Sequence, residues 1–173
     1  MKWKRRPIED IRTMEKLFTA AEAAAARLGV SNPGAEYLVL SALQLPEESA
    51  RRCFERIGAD PDDFATALIS RHNDNLRAAG SDPLDGGLSH PIPERVPSRR
   101  PVQYDASGRA LFQQVVGLVR EEKSQIYGAY IVLVAAQIDD GNTPRTLQRM
   151  NVDRQELAAA ARAELDTLND LQS

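Results

Sequence analysis

A chain of 173 residues, 42% hydrophobic and 27% charged, holds enough apolar material for a buried core beneath an ordinary polar surface. Twenty-five acidic residues against twenty-two basic ones leave a net charge of −3, which argues against a general nucleic-acid binder, because such a protein needs surplus cations to displace counterions from phosphates. One cysteine cannot close an internal disulfide, and with two histidines it makes a poor ligand set, so neither metal nor cofactor is expected.

No apolar run approaches the ~20 residues of a membrane span. Lys2, Lys4, Arg5 and Arg6 resemble the start of a signal peptide, but Glu9 and Asp10 stand where its apolar stretch belongs. The expectation is a cytoplasmic protein with no membrane or nucleic-acid partner. Trp3, among those cations, reads as a loosely packed terminus rather than a contact to an acidic partner.

In chain order, Met14, Leu17, Phe18, Ala21, Ala25 and Leu28 recur at three- and four-residue steps and predict a first helix, stopped by Gly29. Pro33 and Gly34 open a second, nearly continuous apolar helix from Ala35 to Leu45, whose composition predicts burial on most sides. Ala50, Cys53, Phe54 and Ile57 stripe a third, closed by Gly58 at a C-cap. Asp60, Pro61, Asp62 and Asp63 then start a fourth: Asp60 caps, Pro61 suits the first turn, and Asp63 stands where a capping-box acid would. This helix runs through Ile69 towards Gly80. Between Ser81 and Pro101 lie five of the ten prolines with Gly86 and Gly87, so residues 81–103 read as a long connector. Beyond it, Thr143 is expected to cap a helix before Pro144, and Asp153 pairs with Glu156 at the start of another. Nowhere is there sustained period-two alternation. The fold class is all-α, with about eight helices.

The two halves repeat each other. A step of 94 residues sets Leu17-Phe18 on Leu111-Phe112, Gly34-Ala35 on Gly128-Ala129, and Ala42 on Ala136. One deletion later the step is 93, setting Arg52 on Arg145, Arg56 on Arg149 and Asp60 on Asp153, with Phe54 on Leu147, Ile57 on Met150 and Phe64 on Leu157 agreeing in type. The expected architecture is a pseudo-twofold bundle of two four-helix repeats, about 10–80 and 104–168, within one domain.

Most chemical candidates have structural readings. Gly86-Gly87 lacks the Lys-Ser/Thr pair of a phosphate loop. Cys53 lies on an apolar stripe and reads as a core thiol rather than a nucleophile. His72 and His90 have no metal-ligand spacing and read as solvated loop or helix-end residues. The Asp60–Asp63 cluster lacks the alternating ligands of a calcium loop, and capping accounts for it. Glu36 is different: a carboxylate inside Gly34-Ala35-Glu36-Tyr37-Leu38-Val39-Leu40, at a helix start where the helix dipole favours it.

Gly34 to Leu43 resembles the Gly-Thr-Glu-His-Leu-Leu-Leu-Ala-Leu signature of the Clp N-terminal (Clp repeat) domain family. Ala50 to Asp60 resembles its second signature, in which a helix ends in Leu-Gly-Val-Asp, and Gly128 to Leu133 and Met150 to Asp153 repeat both more weakly. Tyr104 falls where the family's second repeat starts with an aromatic residue. The resemblance spans residues ~10 to 165. It implies a non-catalytic domain that docks adaptors and substrates for Clp unfoldase ATPases and their protease, in some members through phosphorylated arginine, and that certain cyclic-peptide antibiotics target. With Ser173 following the second repeat closely, the expectation is a free-standing relative without the ATPase module.

Carried over by residue, the acid that receives the phosphoarginine guanidinium matches Glu36, whereas its counterpart in the second repeat is Tyr130, which makes no charge-assisted fork. Ala35 and Ala129 stand in place of the signature threonine, Asp10 in place of the first repeat's opening aromatic, and the connector is longer than usual. By the same analogy a ligand would lie around Tyr104, Arg109 and Gln113 on one face of the fifth helix. The leading expectation is a protein-binding module acting on Clp-dependent proteolysis as adaptor, docking site or competitor, with Clp components, adaptors, substrates or a cyclic peptide as partners. The alternatives are a small-molecule or antibiotic sequestering protein, a purely structural helical module, and an enzyme using Glu36, for which no motif places a partner carboxylate or histidine.

Overall fold

The computed structural model describes residues 7–81 and 102–172. Trp3, His90 and nearly all of the 81–103 connector lie outside the described residues. Within them the chain forms eight helices and no strand: α1 (Pro7–Arg27), α2 (Ala35–Ala42), α3 (Ser49–Arg56), α4 (Asp63–Ala78), α5 (Ala106–Glu121), α6 (Gly128–Ala136), α7 (Asn142–Arg149) and α8 (Arg154–Gln172). The order long, short, short, long recurs on either side of the connector, and α3 and α7 are displaced by the same step of 93 residues that aligns their arginines. None of these helices is long and apolar enough to cross a membrane.

The expected stops are backbone facts. Gly29, Gly58 and Gly80 all take positive φ, and behind them the N–H groups of Val30, Ala59 and Ser81 return to the carbonyls of Ala25, Phe54 and Leu76. At the start of α4 the Asp60 side chain accepts from the Asp62 N–H at 2.9 Å. Asp153 does the same for the N–H groups of Gln155 and Glu156.

Two boundaries differ from expectation. Helix α2 ends at Ala42 rather than Leu45, because Leu45 precedes Pro46 and that position disfavours helical backbone; Leu43 and Leu45 stay buried in the turn. Helix α7 begins at Asn142, not after a Thr143 cap. Gly141, at φ 99°, makes the entry turn that a side chain would strain, and Thr143 is thereby directed into the core.

Every residue of α2 and of α6 is buried, and these two short helices touch at the centre of a core drawn from both halves. Helix α1 covers α2, and α8 covers α6. The third helix of each half packs on the fourth helix of the other, α3 on α8 and α7 on α4. Phe18 joins Tyr104 and Phe112 edge-on at 5.4 and 4.9 Å, and Phe54 meets Phe64 at 6.2 Å.

The central helices are capped from across the molecule. Neither Gly34 nor Tyr127, their N-cap residues, has a side-chain cap. Instead the Ala35 N–H donates to Ser107 Oγ at 3.0 Å, while the Gly128 and Ala129 N–H groups donate to Glu47 Oε1 at 2.7 Å and Ser49 Oγ at 2.9 Å. Asp10 in α1 accepts from the Ile126 N–H at 2.9 Å and so ties the entry of α6 to the first half. Gly128 lies close against the first half: a methyl built there would meet Ala50 Cβ at 3.0 Å, Glu47 Oε1 at 3.1 Å and the Ala42 carbonyl at 3.2 Å. Gly128→Ala is expected to destabilise by about 1 kcal/mol, lowering the thermal midpoint by roughly 2–4 °C, because crowding outweighs the gain in helix propensity. Calorimetric melting checks this, and an unchanged or raised midpoint would show that the contact yields.

Candidate docking site

The site grows from the entry of α2. Pro33 and Gly34 bring the chain in extended, and Glu36 follows in the first turn, where the next residues must enter the core. Glu36 is consequently only 4% exposed. Its Oε1 accepts from Asn142 Nδ2, at the start of α7, at 3.3 Å. Facing it is Asp105, the N-cap of α5, whose Oδ1 accepts from the Gly108 N–H at 2.9 Å and from Ser107 Oγ at 2.6 Å. The other oxygens of both carboxylates converge over Gly34: a methyl there would come within 2.6 Å of Glu36 Oε2, 2.8 Å of Asp105 Oδ2 and 2.9 Å of Ser107 Oγ. Only glycine leaves that space open.

A recess of about 90 Å³ lies here, lined among others by Asn32, Glu36, Arg71, His72, Asp105 and Asn142. Arg71, from α4, donates to Asn142 Oδ1 at 3.2 Å. Burial pushes the Glu36 carboxyl above its usual range; hydrogen bonds from the backbone and Asn142 and the charge of Arg71 oppose the shift, and the neighbouring Asp105 adds to it. The recess thus brings two carboxylates together, one of them short of solvation, with Arg71 at its edge.

The structure places the residues singled out in the sequence as follows. Glu36 forms the floor of the recess. Tyr104 is not on the fifth helix: it precedes α5, and its ring turns back onto Phe18, with its hydroxyl 3.4 Å from the Phe18 carbonyl. Arg109 and Gln113 lie one turn apart on the exposed face of α5 and do not line the recess. Tyr130, at the position matching Glu36, is fully buried and donates to Glu122 Oε2 at 2.8 Å, so it presents no carboxylate there. Cys53 is a core thiol, pushed up to about 12 by burial and donating to the Ser49 carbonyl.

Asn32, Arg71, Asp105 and Asn142 line the recess without being singled out by the sequence, and His72 differs from its sequence expectation. Asp105 carries a recognisable cap signal ahead of α5, but its proximity to Glu36 is tertiary. His72 is not a solvated helix-end residue: it lies within α4, half-buried, and its Nε2 is shut off from solvent without a hydrogen-bond partner among the described residues. Among the described residues no group of three His, Cys, Asp or Glu side chains could hold a metal ion.

No family model and no curated protein sequence matches the chain. Among solved structures it is similar to the N-terminal domain of the caseinolytic protease associated chaperone ClpD from Arabidopsis thaliana, with a TM-score of 0.57 and 19% identity, over 96% of this chain and 97% of that one. At that identity the likeness is one of fold. The chain has the all-α fold of a Clp N-terminal domain.

Proposed function

We propose that this chain, built on the fold of a Clp chaperone N-terminal domain, is a non-catalytic docking module that influences Clp-dependent proteolysis by binding substrates, adaptors or the Clp machinery itself. The observation that carries the reading is the Glu36–Asp105 recess, where two carboxylates with Arg71 beside them meet at the junction of the halves and could receive a cationic side chain of a docking polypeptide. Catalysis draws little support. The thiol is buried and protonated at neutral pH, and although His72 lines the recess, no hydrogen bond links it to Glu36 or Asp105. A small-molecule sequestering role also draws less support. A depression of about 1070 Å³ along α7 and the start of α8 is open and lined by Asp139, Asp140, Arg145, Asp153 and Arg154, unlike the apolar pockets that enclose small ligands.

The test is a reconstituted Clp ATPase and protease degrading a fluorescent reporter while the purified chain is titrated in. The expected result is a saturable change in degradation rate and direct association with a component or substrate, with no turnover by the chain alone. A flat rate at large molar excess, with no association, would overturn the reading.

A further inference from the structure

The two reciprocal helix contacts carry opposite charge arrangements. At the α3–α8 contact, Arg52 and Arg56 both bind the carboxylate of Glu164, which is 3% exposed; Arg52 Nε donates to Oε1, and Arg56 Nη2 lies 3.0 Å from Oε2. At the α7–α4 contact, the step of 93 residues that sets Arg52 on Arg145 and Arg56 on Arg149 sets Glu164 on Arg71. Where one contact has a carboxylate between two guanidiniums, the other has a third guanidinium.

These charges are largely uncompensated. Arg149 binds Asp74 at 2.7 Å, but Asp74 is shared with Arg77 at 3.4 Å. Among the described residues neither Arg71 nor Arg145 has a carboxylate within ion-pair distance; Arg71 bonds only the neutral Asn142, with buried Glu36 at longer range. Partial burial, then the nearby Arg145 and Arg149, hold the Arg71 guanidinium below its usual range against the opposing charges of Glu36 and Asp74, so the three cations feel one another. With Gln148 they line an open dish of about 360 Å³. Like charges brought together by packing are costly until an anion joins them.

We propose that this dish is a phosphoryl-binding site, in which Arg71, Arg145 and Arg149 bind a dianionic phosphate group and the Gln148 amide donates a further hydrogen bond. Among the described residues Arg71 and Arg145 have no ion-paired carboxylate and Arg149 shares Asp74 with Arg77, so the dish carries surplus positive charge that a phosphoryl dianion neutralises more fully than a single carboxylate. The planar guanidinium fork also matches phosphate oxygens. The site is independent of the docking role: phosphate binding without any effect on Clp proteolysis would leave it standing.

The experiment is isothermal titration in chloride buffer at constant ionic strength, with inorganic phosphate, a phosphoserine peptide and the same peptide carrying glutamate. Phosphate is expected to bind saturably, at least tenfold more weakly to Arg145→Gln and Arg71→Gln, and unchanged to Arg120→Gln, an exposed arginine of α5 outside the dish. A phosphopeptide that binds more tightly than free phosphate identifies a modified polypeptide as the source, and equal affinity identifies a small phosphate. Circular dichroism verifies that the variants fold. Absent saturation, equal affinity for wild type and Arg145→Gln, or a glutamate peptide binding as tightly as the phosphopeptide would each overturn the proposal.

Discussion

Glu36→Gln is expected to raise the thermal midpoint at pH 7.5 by roughly 2–4 °C, the shift that about 1 kcal/mol produces in a chain of this size, while weakening partner binding at least tenfold. Burial raises the Glu36 carboxyl above its unfolded value, so an ionised Glu36 opposes folding at neutral pH. Its contribution to stability is therefore fully present below the unfolded value, 4.5, and is lost as pH rises through the raised folded value. The neutral amide removes that loss while keeping a side-chain oxygen for Asn142 to bond. Melting both proteins from pH 4.5 to 8 isolates the effect, because other titrating groups cancel in the difference. The gap in midpoint should open with rising pH and close near the acid end. The same substitution removes the charge that a cationic ligand would meet, so stability and docking move in opposite directions, as at a site kept destabilised for function. A variant that binds its partner as well as wild type would remove Glu36 from the docking site whatever its melting behaviour.

What could be read in advance follows from how local each signal is. The stripe Met14, Leu17, Phe18, Ala21 and the stops Gly29, Gly58 and Gly80 depend on neighbours within a turn or two, and the helices they predict are present. The apolar run expected from Ala35 to Leu45 signals burial by composition, and its helical part, Ala35–Ala42, is buried throughout. The caps of α2 and α6 left no local trace. Ser107 lies 72 residues from Ala35, and Glu47 lies 81 from Gly128, so Gly34 and Tyr127 look like unfavourable cap residues until the fold supplies their partners. The recess was half legible for the same reason: Glu36 stood out as an acid in an apolar run, but Asp105, His72 and Asn142 reach it from three other helix segments. Tyr104 was misplaced because an aromatic before a helix start can point along that helix or away from it, and Phe18 draws it away.

Glu164→Ala is expected to cost about 2 kcal/mol, lowering the midpoint by roughly 4–8 °C. Glu164 is an acid on the buried face of α8, tolerated there because Arg52 and Arg56 approach from α3. Removing one partner of a buried ion pair commonly costs ~3–5 kcal/mol, since the other is left without compensation. Here the arginine side chains remain 39% and 40% exposed, so they rehydrate and the loss falls below that range. A thermodynamic cycle with Arg52→Ala and Arg56→Ala separates charge pairing from lost packing. The cost of Glu164→Ala should fall by at least half when both arginines are already absent, whereas an equal cost in both backgrounds would show that Glu164 contributes volume rather than charge. The cycle also bears on the opposite contact. If Glu164 stabilises by neutralising its two arginines, then Arg71, standing in its place beside Arg145 and Arg149, leaves a surplus of positive charge that no carboxylate among the described residues pairs at Arg71 or Arg145, and that a bound anion would offset.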